Sequence, residues 1–110
     1  MVDPRVMCRQ HLLGEHVEHH MFVATLNRQR DVSGFLDLNL LEPRSLRSRH
    51  AELVREMRSR GYNHKSPLPK ASIAYLSRVD RNVKVDRAAS LKELLRRCPE
   101  CRRRYRQLFK

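Results

Sequence analysis

The chain predicts an all-α fold, a single compact domain of three to four helices with long connecting loops, occupying residues 1–110. Three observations lead there. Apolar residues recur at three- and four-residue intervals in two long stretches. Glycine and proline punctuate the chain between those stretches. No two alternating segments offer partner strands to one sheet. With 110 residues, 40% of them hydrophobic and 33% charged, the chain can build one small core and is too apolar for disorder.

The first helix is expected from about Met7 to about Arg28, with Asp3 and Pro4 as its lead-in. A 3.6-residue period sorts its side chains into stripes. Cys8, Leu12, His19, Val23 and Leu26 form one, mostly apolar; His11, Glu15 and Glu18 form another. Gly14 is a tolerated cost in mid-helix and allows close approach of another backbone or a ligand. Residues 29–41 read as a connection, because Asp31, Ser33 and Gly34 are turn chemistry. Leu36, Leu38 and Leu40 alternate with Asp37 and Asn39 as a short strand would, but an extended loop pinned to the core is expected.

A second helix is expected from about Pro43 to Arg60, with proline in its first turn and Gly61 as the left-handed stop. Leu46, His50, Leu53, Val54 and Met57 give its core stripe, and Arg44, Arg47, Arg55 and Arg58 lie on other faces. Pro67 and Pro69 keep the next segment out of helix, and Ala71 to Leu76 reads as a short turn. Ser90 and Glu93 form a capping box that opens a third helix with Leu91, Leu94, Leu95 and Cys98 inward. Pro99 breaks that helix. A last helical segment, Glu100 to Phe109, carries Arg102, Arg103, Arg104 and Arg106 beside Tyr105 and Leu108.

The formal net charge of +12 is lopsided. Residues 1–55 are near balance, with 8 basic against 7 acidic side chains; residues 56–110 carry 16 against 5. The basic set is 19 arginines and 5 lysines. Arginine forks match phosphate oxygens, so a nucleic-acid partner is expected. No apolar run approaches the roughly 20 residues of a membrane span. Asp3 and Pro4 stand where a signal peptide needs apolar residues. Three cysteines cannot all pair. The expected location is therefore the reducing cytoplasm.

Glu15 and Glu18 are the first candidates for chemistry. Two acids one turn apart repel, so one keeps its proton nearer neutral pH if the site is dry. Cys98-Pro-Glu-Cys101 has the spacing of half a zinc site. Cys8, His64 or the group His16, His19 and His20 are the remaining donors, and the spacing does not select among them. Two small buried side chains at a helix junction are the preferred reading. The histidines lack the His-Glu-x-x-His order of a metallohydrolase. No glycine-rich phosphate loop or Gly-x-Ser-x-Gly elbow occurs.

Several segments together carry a resemblance: Gln10-His11-Leu12 with Glu15 and Glu18, Arg49-His50-Ala51-Glu52-Leu53, Arg60-Gly61-Tyr62-Asn63-His64-Lys65, and Ala71-Ser72-Ile73-Ala74. In order and spacing, over roughly residues 3–98, they resemble the pyrimidine-dimer DNA glycosylase family. These are the small UV-repair enzymes of T-even phages and their bacterial, archaeal and viral relatives. Val2-Asp3-Pro4 and His64-Lys65-Ser66-Pro67-Leu68 resemble its short branch.

The resemblance implies an all-α enzyme that needs no metal and no cofactor and acts as a monomer. Its substrate would be double-stranded DNA containing UV photoproducts or abasic sites. A base is extruded from the stack, and the amine of a processed N-terminus attacks the sugar that bore it. A Schiff base forms and β-elimination nicks the strand. By position, the catalytic residues are Val2 (the amine once Met1 is removed), Glu18 and His11. Arg5, Arg9, Asn63, His64, Lys65, Arg102 and Arg103 are expected on the DNA. Val17 departs from the family, whose phage member has an arginine beside the glutamate, and the aromatic-rich tail is here Cys98 to Lys110. The alternative expectation is a non-catalytic double-stranded DNA-binding protein on the same fold. A small zinc-stabilised interaction module is the third.

Overall fold

The computed structural model describes residues 1–38 and 40–109. All regular structure among them is helical. A 3₁₀ turn, Pro4–Val6, leads into α1 (Arg9–Asn27). A single turn, α2 (Ser33–Asp37), follows, then a second 3₁₀ turn (Pro43–Ser45) that runs into α3 (Leu46–Ser59). After an irregular stretch come the short α4 (Arg78–Arg81), α5 (Arg87–Arg97) and α6 (Pro99–Leu108). The all-α expectation holds. Four helices have ten or more residues, and α2 and α4 add one turn each.

Local chemistry accounts for most boundaries. Pro43 and Pro99 each open a helical segment, where a missing N–H costs nothing. Gly61 takes φ 83° just beyond α3, and the Tyr62 amide donates back to the Met57 carbonyl. The stop of α1 has no glycine. Gln29 takes the left-handed conformation at φ 52°, and its N–H bonds to Leu26 O.

Two expectations are corrected. The segment after α1 is not an extended loop. Asp31 accepts from the Ser33 amide (2.9 Å) and starts one helical turn, which docks Phe35 edge-on against Phe22. Val32, Leu36 and Leu41 are buried, whereas Leu38 and Leu40 are exposed; Asn39, part of the strand-like alternation, lies outside the described residues. The third long helix does not open at Ser90. Asp86 caps it by accepting from the Ala89 amide (3.0 Å). Ser90 sits inside the helix with its hydroxyl donating to the Asp86 carbonyl (2.9 Å), so it is not available as a cap.

The core has two halves. Phe22, Val23, Leu26, Val32, Leu36, Leu41, Leu46 and Leu76 fill one. Val2, Val6, Met7, Leu12, Leu53 and Met57 fill the other, with Leu91, Leu94, Leu95 and Tyr105 packed on its edge. The shared wall is the contact between α1 and α3. In the second half the apolar start of the chain is buried core, so the N-terminal residues are held in place. Arg60 adds to this: it pairs with Glu56 (2.7 Å) and donates to the Pro4 (3.0 Å) and Met7 (2.7 Å) carbonyls. No helix among the described residues is long and apolar enough to cross a membrane.

Candidate active site

A cavity of about 460 Å³ opens between the start of the chain, one face of α1 and the segments near Glu42 and Leu94. The stripe expected on α1 forms one wall: His11, Glu15 and Glu18, with Gly14 among them. Met1 and Val2 border the same space. The three residues expected to be catalytic therefore surround one cavity. A Cβ built on Gly14 meets nothing within 4 Å, so this glycine leaves open space. Glu42, itself buried, accepts from the Val85 amide (2.9 Å) and ties that segment to the rim.

The two glutamates differ sharply in environment. Arg49, only 2% exposed, reaches from α3 and donates to both oxygens of Glu15, at 2.5 and 3.0 Å. Its remaining nitrogen binds Glu52 (3.0 Å). Burial opposes the charge on Arg49, but the two carboxylates prevail and hold the guanidinium above its ordinary range. Glu18 has no ion-pair partner among the described residues. Partial burial, and secondarily the charge of Glu15, raise its carboxyl above the ordinary value. Divergent environments of this kind separate a fixed charge from a proton carrier. The α-amine of Met1 is shifted down, by burial first and by the Arg49 guanidinium second.

His11 contributes to more than the cavity. Its Nδ1 lies 3.1 Å from Cys8 Sγ and 3.7 Å from Cys101 Sγ. Cys98 Sγ is 3.8 Å from Cys8 Sγ. The four ligand atoms all fall within 4.8 Å of one another. A second group, His16, His20, His50 and His64, converges just as closely. There His16 Nε2 faces His50 Nε2 at 3.2 Å and His64 Nε2 at 3.0 Å. His20 Nε2 is buried with no hydrogen-bond partner among the described residues. His19 stands apart: its Nδ1 donates to the Glu15 carbonyl (2.9 Å), and burial lowers its pKa.

The residues expected on DNA divide into displayed and engaged. Asn63 and Lys65 are exposed on the segment after α3. Arg9 stacks over the Tyr62 ring at 5.1 Å, which places it beside that segment. Arg5 is exposed but chelated by Asp3 (2.7 Å), and Arg103 is exposed and paired with Glu100 (2.9 Å). Such surface pairs are weak and easily exchanged for phosphate. His64 turns inward to the histidine group. Arg102 is spent on the end of α5, donating to the Leu95 (2.9 Å) and Arg96 (3.2 Å) carbonyls.

The sequence did not reveal Arg49 as the buried partner of Glu15. One signal was present: Arg49 lies on the same face of α3 as the core residues Leu46, Leu53 and Met57 and next to His50, where an unpaired charge is untenable. The Cys98-x-x-Cys101 half-site and Cys8 were legible, but His11 as their fourth neighbour and the convergence of His16, His20, His50 and His64 were not, because the members of each group lie far apart in sequence.

A family model for pyrimidine dimer DNA glycosylases matches residues 1–70. The matched stretch contains α1 to α3, and with them Glu15, Glu18 and Arg49; Cys98 and Cys101 lie outside it. No curated protein and no solved structure matches the chain. With 70 of its 110 residues accounted for by that model, the chain belongs to the pyrimidine dimer DNA glycosylase family.

Proposed function

We propose that this protein excises pyrimidine dimers from UV-damaged duplex DNA and then cleaves the strand at the abasic site, with a terminal amine as nucleophile. Its family makes it a DNA glycosylase and DNA its substrate. One observation supports the amine chemistry: Met1 and Val2 border the same cavity as Glu18.

Removal of Met1 would make the Val2 nitrogen the terminal amine. An α-amine has a pKa near 7.7–8.0, so a useful fraction is neutral at physiological pH. In the chain that keeps Met1, burial first and Arg49 second shift the Met1 amine in the direction that enlarges this fraction. The neutral amine attacks C1′ of the damaged nucleotide as the bond to the base breaks. A protonated Glu18 supplies the proton the departing base needs. The ammonium formed at Val2 passes a proton to O4′, the C1′–O4′ bond breaks, and an iminium joins Val2 to the opened sugar. The Glu18 carboxylate takes the C2′ proton, and the 3′ phosphate leaves. Water hydrolyses the imine and restores the amine. Glu15, held by Arg49, lies beside Glu18 and is the second cause, after burial, that raises the Glu18 carboxyl. His11 has its Nδ1 turned to the thiols, so only its Nε2 is left for substrate.

Asn63, Lys65 and Arg9 are the exposed group best placed to grip phosphates, with Arg5 and Arg103 available once they release their carboxylates. Phosphate contacts position the duplex and read no sequence. The test is borohydride trapping on dimer-containing and abasic duplexes, with the N-terminal mass of the protein determined alongside. A covalent adduct is expected, and Glu18→Gln should abolish base release while sparing duplex binding. Salt-sensitive binding without trapping, by protein whose Met1 has been removed, would leave only a non-catalytic DNA-binding role.

A further inference from the structure

We infer that Cys8, His11, Cys98 and Cys101 form a structural zinc site that ties the start of α1 to the junction of α5 and α6. The assignment stands on its own observations and shares one residue with the proposed active site: His11 meets the thiols through Nδ1 and leaves its Nε2 to the cavity. Two short spacings, Cys8-x-x-His11 and Cys98-x-x-Cys101, come from opposite ends of the chain and meet at one point. A tetrahedral zinc with Zn–S of about 2.3 Å and Zn–N of about 2.0 Å separates two sulfurs by about 3.8 Å, and a sulfur from a nitrogen by about 3.5 Å. Here Cys8 and Cys98 sulfurs are 3.8 Å apart, and His11 Nδ1 lies 3.1 and 3.7 Å from the sulfurs of Cys8 and Cys101.

The surroundings suit thiolates. The Cys8 amide donates to Cys101 Sγ (3.1 Å) and the Cys101 amide donates to Cys98 Sγ (3.4 Å). Backbone N–H groups aimed at ligand sulfurs stabilise their negative charge. Cys101 is fully buried, and four protein donors leave no open position, which marks a structural centre. Three sulfurs and one imidazole in this arrangement select zinc over harder divalent ions. Binding releases the three thiol protons, so the site strengthens as pH rises.

The site also answers a packing need. α5 has no buried residue, and α6 has one, Cys101. Apart from these ligands, α6 is joined to the N-terminal turn by contacts such as Arg104 Nε on the Arg5 carbonyl (3.0 Å). In a chain this small a metal adds to the partial burial of Leu91, Leu94, Leu95 and Tyr105 on the edge of the core.

The four-histidine group is the competing destination for a metal, and cobalt distinguishes the two. Full-length protein purified under reducing conditions with added zinc should carry about one zinc per chain by elemental analysis. Replacing zinc with Co²⁺ should give a thiolate-to-cobalt charge-transfer band with the intensity of three sulfurs, together with the visible bands of a tetrahedral ion. Cys98→Ser should reduce the charge-transfer intensity by about one third; Cys98→Ser/Cys101→Ser should lose the band; His50→Ala should leave it intact. Reduced wild-type protein that holds no stoichiometric metal overturns the assignment. So does a cobalt spectrum with no sulfur band, or metal that survives the double cysteine change and disappears with His50→Ala. The wild-type cobalt spectrum decides alone if the cysteine variants do not fold.

Discussion

Arg49 on α3 clamps Glu15 on α1 through two hydrogen bonds, 2.5 and 3.0 Å long, and leaves Glu18 one turn further on without a charge partner. α1 thus carries an Arg-paired carboxylate and an unpaired one on the wall of one cavity. Chemistry and packing pull in opposite directions there. Arg49 and Glu15 fasten α1 to α3, whereas the ionised Glu18 is disfavoured by its surroundings.

Glu18→Gln separates those two contributions. The folded carboxyl titrates above its unfolded value. Its stabilising contribution is therefore complete below the unfolded pKa and is lost as pH rises through the folded one. At neutral pH the ionised group works against the fold, and glutamine removes that opposition. We expect a melting temperature equal to or above wild type at pH 7, a difference that shrinks as pH falls toward the unfolded carboxyl's 4.5, and no base release. A clear loss of stability at pH 7 would show that Glu18 is structural.

Arg49→Met tests the clamp. It leaves Glu15 partly buried with its cation removed, and breaking a buried pair from one side costs about 3 kcal/mol. Glu15→Gln combined with Arg49→Met should cost less than the two single changes together, because the double change leaves no unpaired charge at Glu15, and Glu52, the other partner of Arg49, is partly exposed to solvent. Urea denaturation of the four proteins gives the coupling directly. Additive costs would mean that the clamp is not the unit described.

Periodicity was enough to find α1 and α3 and to place His11, Glu15 and Glu18 on one face, because a face is a local property. Proline and glycine chemistry marked Pro43, Gly61 and Pro99 correctly. The start of α5 was misplaced because Ser90 and Glu93 imitate a cap that Asp86 provides. The left-handed stop at Gln29 carried no glycine to announce it. The histidine group, and the place of His11 beside the cysteines, were illegible for a different reason. Each depends on tertiary approach, as with His16 and His64, 48 residues apart, and spacing within a helix carries no information about that.

Gly14→Ala bears on the cavity itself. An alanine Cβ has open space and removes the helix cost of glycine, worth about 0.5–1 kcal/mol. The melting temperature should rise by about 3–6 °C. The same methyl projects from the wall that holds Glu15 and Glu18. If a flipped nucleotide enters there, KM for damaged duplex should rise with little change in unfolding behaviour. Gly14→Leu should exclude substrate almost entirely while the protein still folds. Unchanged kinetics in both variants would place the reacting nucleotide elsewhere.

His50 should respond to acid in a way no exposed histidine does. It is 8% exposed, and the groups facing it are all histidines: His16, His20 and His64, with His19 further off. Burial first, and the repulsion of these neighbours second, lower its pKa to about 4; burial lowers His16 as well. An imidazole nitrogen is either donor or acceptor, so His16 Nε2 cannot give full hydrogen bonds to both His50 and His64. The depressed pKa means that the unfolded chain takes up a proton between about pH 6.5 and 4 while folded His50 does not. Its contribution is complete above pH 6.5 and falls with acid, by on the order of 2 kcal/mol at pH 4. A proton NMR titration should put the His50 ring midpoint near 4, and wild type should lose its stability advantage over His50→Gln across that range. A midpoint above 6 would mean that water or a counter-charge reaches the group and that the four rings do not share a dry site.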